Sequence, residues 1–285
     1  MNASPTIRQS ELFERPSLRQ KPFLKWAGGK FRVLNYILHR LPQGRRLVEP
    51  FAGSAAVALN ANFSSALVAD ANRDLINLYS SIRTDAELFK KEASALFVPE
   101  KNNRESFDAL RAEFNEVLDP FRRSVIFVYL NRHAYNGLCR YNSKGRFNVP
   151  FGRYTNPGFP ADEIDAFGVA AQRMDFRHQD YLTTMTSAVR GDVIYCDPPY
   201  VPLSVTSNFT SYAPGAFGFA EQKALAQKAR ECATRGVPVV ISNHDTAESR
   251  ALYSGAEIYE FEVQRFISSK ASTRGHAPEL LAIYR

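Results

Sequence analysis

Short apolar runs that alternate with stretches of helical periodicity constrain the fold of this chain more than any other feature. The apolar runs predict strands at 46–49, 66–69, 174–177, 192–196, 237–242 and 280–284. Helical periodicity lies between them, at 33–41, 55–60, 164–171 and 219–235. Strands separated by helices in this way predict an α/β fold built on a parallel sheet.

The alternation stops between residues 74 and 159, where mainly helical patterns lead into a hairpin-like sequence at 141–147. Such a block, interrupting the strands of a sheet, is typical of an inserted domain. We therefore predict a sheet domain at 21–72 and 161–285 and an inserted domain at 73–160. Residues 1–20 have mixed charge and no sustained period, which predicts a disordered leader.

The positive charge of the chain is concentrated in this block. No Asp or Glu occurs between Pro120 and Ala161, and removing the seven basic residues there from the 36 Lys and Arg leaves 29, the number of Asp and Glu. The seven are Arg122, Arg123, Arg132, Arg140, Lys144, Arg146 and Arg153. Basic charge interleaved with aromatic residues predicts a nucleic-acid groove. The alternative is a solvated basic face over an aromatic core, which we expect to include Phe127 and Tyr129.

The sequence Asp197-Pro198-Pro199-Tyr200 follows the predicted strand at 192–196, at the sheet edge where α/β proteins bind ligands. Asp197 and the Pro198 carbonyl are hydrogen-bond acceptors, which suit drawing a delocalised exocyclic amine toward tetrahedral geometry. Tyr200 adds a flat ring on which an extruded base can stack. The alternative is a Pro-rich turn without a chemical role.

A second candidate site precedes the inserted block. A tight turn at 50–54 follows the first strand, and Asp70 ends the next, where it could accept hydrogen bonds from a ribose diol. No G-x-G-x-x-G is present, and Phe31 after Gly28-Gly29-Lys30 excludes a P-loop. The missing phosphate cradle favours S-adenosylmethionine over a dinucleotide. Trp26 could cover its sulfonium and Lys30 could pair with its carboxylate, although a buried Trp in a glycine turn is the alternative.

Taken in order, KWAGGK at 25–30, EPFAGS at 49–54 and DPPY at 197–200, with the basic insert before the last, resemble the DNA adenine methylase family. The resemblance extends from Lys21 to the C-terminus and includes residues 131–154 and SNHD at 242–245. It implies a Rossmann-like methyltransferase sheet with an inserted, mainly helical DNA-recognition domain containing a β-hairpin. It also implies methyl transfer from S-adenosylmethionine to adenine N6 in double-stranded DNA, at GATC.

The resemblance also assigns roles to individual residues. Asp197, Pro198 and Tyr200 match the catalytic loop and target-adenine pocket. Positions that match cofactor contacts are Trp26, Lys30, Asp70, Asp180 and Asp197, with Asp180 in a stretch that varies among relatives. Tyr135 matches a ring that wedges into the duplex, and Lys25 matches a guanine contact. The expected DNA-binding residues are Lys25, Arg132, Tyr135, Asn136, Leu138, Arg140, Pro150, Arg153 and Tyr154.

Several other classes of protein and site are disfavoured by composition. Cys139, Cys196 and Cys232 have no metal-ligand spacing, so we expect neither a metal nor disulfides. No apolar run is long enough to span a membrane, so we expect a cytoplasmic protein, associated with the nucleoid through DNA binding. We also expect a monomer in solution. The sequence leaves open whether a restriction endonuclease is a partner of this protein. We also expect residues 202–212, which are polar and uncharged, to close over a flipped base.

Two other functions remain open on the sequence alone. The same sheet could methylate RNA or cytosine N4, although cytosine N4 enzymes more often carry Ser in place of Asp197. A DNA-binding protein without enzymatic activity would explain the basic insert, but it would leave DPPY and KWAGGK without a role.

Overall fold

The computed structural model describes residues 19–201, 217–264 and 276–285, and its strands form one seven-stranded sheet of order β3-β2-β1-β4-β5-β7-β6. The strands are β1 (Arg46–Glu49), β2 (Ser65–Asp70), β3 (Met174–His178), β4 (Asp192–Cys196), β5 (Val239–His244), β6 (Glu257–Gln264) and β7 (His276–Tyr284). The predicted lid at 202–212 and all but the last two residues of the predicted leader lie outside the described residues.

The direction of the strands corrects the prediction of a parallel sheet. β1 pairs in parallel with β2 and with β4, and β4 pairs in parallel with β5. β7, however, runs antiparallel to both β5 and β6. The order of the parallel strands reverses between β1 and β4, and ligand sites of open α/β sheets form at such a reversal. The α/β fold class is confirmed, but the sheet is mixed.

Helices fill the connections. They are α1 (Leu34–Arg40), α2 (Ala56–Asn60), α3 (Arg73–Thr84), α4 (Ala86–Ser94), α5 (Arg104–Glu116), α6 (Pro120–His133), α7 (Ala161–Ala171), α8 (Tyr181–Thr186), α9 (Phe219–Thr234) and α10 (Ala247–Leu252). The sequence did not predict α8, α10 or β6. None of the helices in the described part of the chain has the length and apolar character that a membrane crossing needs.

The chain divides into two compact units. Unit 1 contains the described residues of Met1–Asn35 together with Gly53–Asn62 and Asp70–His178, and unit 2 contains Tyr36–Ala52, Phe63–Ala69 and Gln179–Arg285. These boundaries differ from the predicted domains in placing part of the predicted sheet domain with the helical block. The predicted assignment of one domain to catalysis and one to DNA recognition stays a prediction.

The core of unit 1 is built around α6. Asp119 caps this helix through the N–H groups of Phe121 and Arg122, and Pro120 occupies its first turn, where no N–H is needed. Every residue from 124 to 131 is buried, as expected of a helix surrounded by protein. An aromatic cluster of Phe23, Tyr79, Phe167 and Phe176 packs elsewhere in the same unit.

The core of unit 2 is the apolar interior of the parallel strands. Val48, Ile194 and Ile241, from β1, β4 and β5, belong to one buried cluster, which Leu225 and Ala229 of α9 join. Because β4 is buried along its whole length, the chain leaves the protein interior only where this strand ends. The polar residues that follow Cys196 therefore occupy a defined place at the carboxyl end of the sheet.

Candidate functional site

The loop after β4 begins with a carboxylate fixed from a neighbouring strand. Ser242 of β5 donates its hydroxyl hydrogen to Oδ1 of Asp197 over 2.8 Å. The Ser242 oxygen also lies 3.2 Å from the hydroxyl of Tyr195. Burial, with the negative charges of Asp197, Glu49 and Glu279, raises the pKa of Tyr195 well above its usual value. The tyrosine is therefore neutral, and its hydroxyl can donate to Ser242 while Ser242 donates to Asp197.

The rest of the loop is fixed through its backbone. The Gln222 side chain of α9 donates to the Pro199 carbonyl over 2.6 Å. Asn243 accepts the N–H of Val201 at 3.0 Å, and Nδ1 of His244 lies 2.7 Å from the Val201 carbonyl. Because both ends of the loop are bonded to β5, the backbone of the DPPY segment is set before any ligand binds.

Tyr200 is held at its hydroxyl and at its ring. The hydroxyl donates to Oε2 of Glu279 over 3.0 Å, and the ring meets His244 edge to face with centroids 4.7 Å apart. Burial of the hydroxyl, together with the charges of Asp197 and Glu279, raises the pKa of Tyr200 well above its usual value. The phenol stays protonated at physiological pH and keeps donating to Glu279, which fixes the orientation of the ring.

In unit 1, Asp70 closes the turn that follows β1. Its Oδ2 accepts the N–H of Gly53 at 3.1 Å and its Oδ1 accepts the N–H of Asn72 at 2.8 Å. Burial raises the pKa of Asp70, and these backbone donors oppose that rise. Each carboxylate oxygen accepts more than one hydrogen bond, so Asp70 retains acceptor capacity for hydroxyl groups.

Trp26 packs directly over the same turn. A Cβ atom at Gly53, which has a φ of +46°, would lie only 2.9 Å from the indole Nε1, so a larger residue there would displace the ring. Lys30 is buried, and its Nζ donates to the Gly28 carbonyl over 2.9 Å. The structure therefore brings Trp26, Gly53 and Asp70 together, and it keeps the Lys30 ammonium within the glycine turn.

Asp180, the fifth predicted cofactor contact, has a local structural role. Its two carboxylate oxygens accept from the backbone N–H and the hydroxyl of Thr183, at 2.9 and 2.5 Å, and so cap α8. These hydrogen bonds lower the pKa of Asp180. The side chain is exposed and ionised, with lone pairs that remain open to a ligand.

The predicted wedge residue lies on a strained turn in unit 1. Tyr135 is 54% exposed, and its backbone N–H donates to the carbonyl of Pro150 over 2.9 Å. The next residue, Asn136, has a φ of +53°, and Arg153 has a φ of +54°. Left-handed backbone at residues other than glycine costs free energy and is common where ligands bind. Leu138 is partly buried, whereas Asn136, Pro150 and Arg153 are exposed.

Lys25 lies beside the predicted base readers. Its ammonium stands 4.0 Å from the centre of the Tyr154 ring and 3.4 Å from the Arg132 carbonyl. Burial, and then the charge of Arg132, lowers the pKa of Lys25. Arg140, which is exposed, donates its Nε hydrogen to Oδ1 of Asn148 over 2.9 Å. Unit 1 therefore collects the predicted DNA-binding residues on neighbouring segments.

Three of the seven basic residues are neutralised by ion pairs within unit 1. Arg123 binds both carboxylate oxygens of Asp74, Arg122 binds those of Glu113, and Arg146 pairs with Glu116. Arg132, Arg140, Lys144 and Arg153 have no ion pair among the described residues. The aromatic core that the alternative interpretation of this segment predicts is also present, since Phe127 and Tyr129 are buried as expected. The number of unpaired positive charges in this segment is therefore smaller than the sequence indicates.

Comparison with known proteins gives this geometry a context. A family model described as D12 class N6 adenine-specific DNA methyltransferase matches residues 26–267. The chain belongs to this family of DNA adenine methyltransferases. Similar proteins include the DNA adenine methylases of Escherichia coli strain K12, at 48% identity, and Salmonella typhi, at 47%, each over 94% of this chain and 96% of the relative. The DNA adenine methylase of Serratia marcescens is 46% identical over 94% of this chain and 99% of its own length.

The methyltransferase has residues near its DPPY loop to which the sequence assigned no role. Ser242, Glu279 and Gln222 each contact this loop through a side chain. SNHD at 242–245 contributed to the resemblance, so one signal for Ser242 was present. Glu279 and Gln222 carried none, because a single acidic or amide residue in a strand or helix has no distinctive spacing.

Proposed function

We propose that this DNA adenine methyltransferase uses S-adenosylmethionine as methyl donor and acts on an adenine flipped out of duplex DNA, at GATC sites. The observation that carries the proposal is the fixed Asp197 carboxylate at the start of a DPPY loop, held by Ser242 at 2.8 Å. A preorganised acceptor of this kind is worth most where positive charge develops in a transition state.

The residues of the loop have separable roles in this proposal. Asp197 and the Pro198 carbonyl accept hydrogen bonds from the adenine N6 amine and draw it toward tetrahedral geometry. The N6 lone pair is then no longer delocalised into the ring, and the nitrogen becomes nucleophilic. Asp197 stabilises the positive charge that develops on N6 before a proton is lost. The Tyr200 ring, held through Glu279 and His244, offers a face for the base.

The described residues of unit 1 fit the chemistry of the donor. S-adenosylmethionine, when bound, supplies an electrophilic methyl group on a sulfonium. Asp70 has acceptor capacity for ribose hydroxyls, the Trp26 indole offers a face to a cation, and the buried Lys30 ammonium suits a carboxylate. Asp180 and Asp197, both in unit 2, are the other two proposed contacts, and the hydrogen bonds from Thr183 lower the pKa of Asp180.

The proposed DNA contacts are Lys25, Arg132, Tyr135, Asn136, Leu138, Arg140, Pro150, Arg153 and Tyr154. Phosphate contacts position the duplex and base contacts specify it. Arg140 suits guanine O6 and N7, and Leu138 and Pro150 suit a thymine methyl. Support comes from the exposure of Tyr135 and Arg140. A monomeric state and a cytoplasmic location stay predictions.

The test is transfer of tritium from labelled S-adenosylmethionine to a GATC duplex, a scrambled duplex with the same composition, and an RNA of equal length. We expect label only in the adenine of the first. Label in cytosine or in RNA would contradict the proposed substrate.

The role of Asp197 is tested in the same assay. Asp197→Asn keeps an acceptor oxygen but removes the charge, so the single-turnover rate should fall by at least about a hundredfold, as when one preorganised group is lost, while duplex affinity is retained. Asp175→Asn, at an exposed carboxylate of β3, is the control. A rate for Asp197→Asn near that of wild type would refute the assigned role.

A further inference from the structure

A single buried amide connects the two segments of unit 1 that carry the proposed cofactor and DNA contacts. Asn131 of α6 is 1% exposed. Its Oδ1 accepts the backbone N–H of Lys25 at 2.9 Å, and its Nδ2 donates to the Lys25 carbonyl at 2.7 Å. The same Nδ2 donates to the Gly137 carbonyl at 3.3 Å. One side chain therefore satisfies polar groups of KWAGGK and of the turn that presents Tyr135.

The two segments also touch each other directly. A Cβ atom on Gly137 would lie 2.5 Å from Cβ and 2.7 Å from Cδ of Lys25. Gly137 has a φ of +62° and Asn136 one of +53°. Only glycine allows both this approach and this backbone conformation at position 137. A displacement of Lys25 is therefore transmitted to the turn at 135–137, and the reverse also holds.

The Asn131 amide cannot accommodate such a displacement without losing a hydrogen bond to one of the two segments. All of its hydrogen bonds go to backbone atoms of the two segments, and burial makes the loss of any one costly because water cannot replace it. Trp26 and Lys30 lie one and five residues beyond Lys25 in the chain, and Tyr135 lies two residues before Gly137.

We propose that Asn131 is a positioning residue that couples cofactor binding at 25–30 to engagement of DNA by the turn at 135–137. The inference rests on the proposed function, because the ligands of these two segments come from it. When the cofactor binds, it orders the segment at 25–30. Asn131, which is hydrogen-bonded to both segments, then restrains the turn at 135–137, so that DNA binds to a turn that is already ordered. By linkage, each ligand raises the affinity for the other by the same factor.

The coupling factor is the measurement that separates this role from a structural one. It is the ratio of duplex dissociation constants, measured by fluorescence anisotropy, without and with saturating sinefungin, a donor analogue that carries no transferable methyl group. We expect wild type to show a factor of at least about 5, the lower end of typical coupling. Asn131→Ala should bring the factor within twofold of 1.

Asn115→Ala is a matched control. The Asn115 amide makes the same pair of bonds to one residue, accepting the N–H of Phe147 at 2.7 Å and donating to its carbonyl at 3.1 Å, but it does not bond to Lys25 or Gly137. This variant should lose comparable thermal stability and keep the wild-type coupling factor. Gly137→Ala perturbs the same contact from the other side and should also lose coupling.

Hydrogen exchange of wild type keeps the inference testable if these variants do not fold. Sinefungin alone should slow exchange of the peptide that contains residues 135–138. The inference is overturned if exchange there is unchanged, if wild type has a factor of 1, if Asn131→Ala keeps the wild-type factor, or if Asn115→Ala loses it equally. An enzyme that does not methylate a duplex would instead refute the proposed function, which the tritium assay reports separately.

Discussion

Ser242 of β5 donates its hydroxyl hydrogen over 2.8 Å to the carboxylate of Asp197, the residue that directly follows the neighbouring parallel strand β4. The sidechain of Ser242 is itself buried between the hydroxyl of Tyr195 and the carbonyl of Cys196, at 3.2 and 3.3 Å. This arrangement fixes Oδ1 of Asp197 against β5.

Ser242→Ala should slow methyl transfer without weakening DNA binding. Removing one hydrogen bond to a charged group costs about 1.5–3 kcal/mol, so kcat should fall by about ten- to a hundredfold. KM for the duplex should stay unchanged because no DNA contact is proposed for Ser242. Ser187→Ala removes a serine hydroxyl bonded to a backbone carbonyl in the same unit and should leave kcat unaltered. An equal loss in both variants would show a general stability effect.

Arg140→Ala should relax specificity rather than abolish binding. Its Nε donates to Oδ1 of Asn148 over 2.9 Å and its Nη2 donates to the Asn148 carbonyl over 3.4 Å, so Asn148 orients the exposed guanidinium through one edge. We expect discrimination at one base pair to fall by about 1–3 kcal/mol. The measurement is kcat/KM on GATC and on duplexes with each single substitution. Equal weakening on every sequence would assign Arg140 to phosphate.

The ion pairs of unit 1 set an upper limit on the salt dependence of DNA binding. With Arg122, Arg123 and Arg146 paired to carboxylates, at most four of the seven basic residues are available for phosphates. The plot of log K against log salt should then have a slope no steeper than about −3.6 from this segment. Arg153→Gln, at an exposed residue among the proposed DNA contacts, should make the slope shallower by about 0.9, whereas Arg122→Gln should not change it. A large change for Arg122→Gln would mean that its ion pair opens on DNA.

His133 should make folding stability depend on pH. Burial lowers the pKa of His133 to about 4, and the positive charges of Lys25 and Arg132 add to this effect, against the hydrogen bond to the Tyr129 carbonyl. The unfolded chain binds a proton near pH 6.5, but the folded chain does not until about pH 4. Stability due to this group is therefore complete above pH 6.5 and decreases as pH falls to 4, by about 3 kcal/mol at most.

His133→Phe keeps a ring against Tyr129 and removes the titration. The pH profile of its melting temperature should be flatter than that of wild type between pH 6.5 and 4. His39→Gln, at an exposed histidine, should leave the wild-type profile in place. Parallel profiles for wild type and His133→Phe would mean that other groups account for the acid sensitivity.

The sequence predicted the four strands with buried apolar interiors, and it also predicted the partly exposed β3, but it missed β6. β1, β2, β4 and β5 each contain at least two consecutive buried apolar residues, as expected of strands covered by protein on both faces. β6 lies at the edge of the sheet and contains Glu257, Glu260 and Glu262, so its apolar signal is weak. The antiparallel direction of β7 comes from pairing and has no signature in the sequence.

The candidate site also contains residues that the sequence predicted and partners that it did not. Asp197 and Asp70 were predictable because each comes at the end of an apolar strand. Ser242 lies 45 residues from Asp197, and Glu279 lies 79 residues from Tyr200. Only the order of the strands brings these partners together. The pairing of Arg122 and Arg123 with acidic residues was also hidden, since Glu113 and Asp74 lie outside the segment that was counted.

The last prediction concerns the exposed ring of Tyr135. Extruding an adenine costs a few kcal/mol of pairing and stacking, and an aromatic ring that fills the gap recovers about 1–3 kcal/mol. Tyr135 is suited to this because its ring is 54% exposed while its backbone is tied to Pro150 at 2.9 Å. Tyr135→Ala should therefore lower the flipped fraction of the base more than it lowers duplex affinity.

Fluorescence of 2-aminopurine at the target position measures this fraction, because the base brightens when it leaves the stack. Wild type with sinefungin should brighten the probe, and Tyr135→Ala should brighten it by several-fold less at saturating protein. Tyr135→Phe keeps the ring without the hydroxyl, so it should behave as wild type. If Tyr135→Ala gave the full signal, the ring would serve packing and not extrusion. A loss in Tyr135→Phe as large as that in Tyr135→Ala would assign the effect to the hydroxyl.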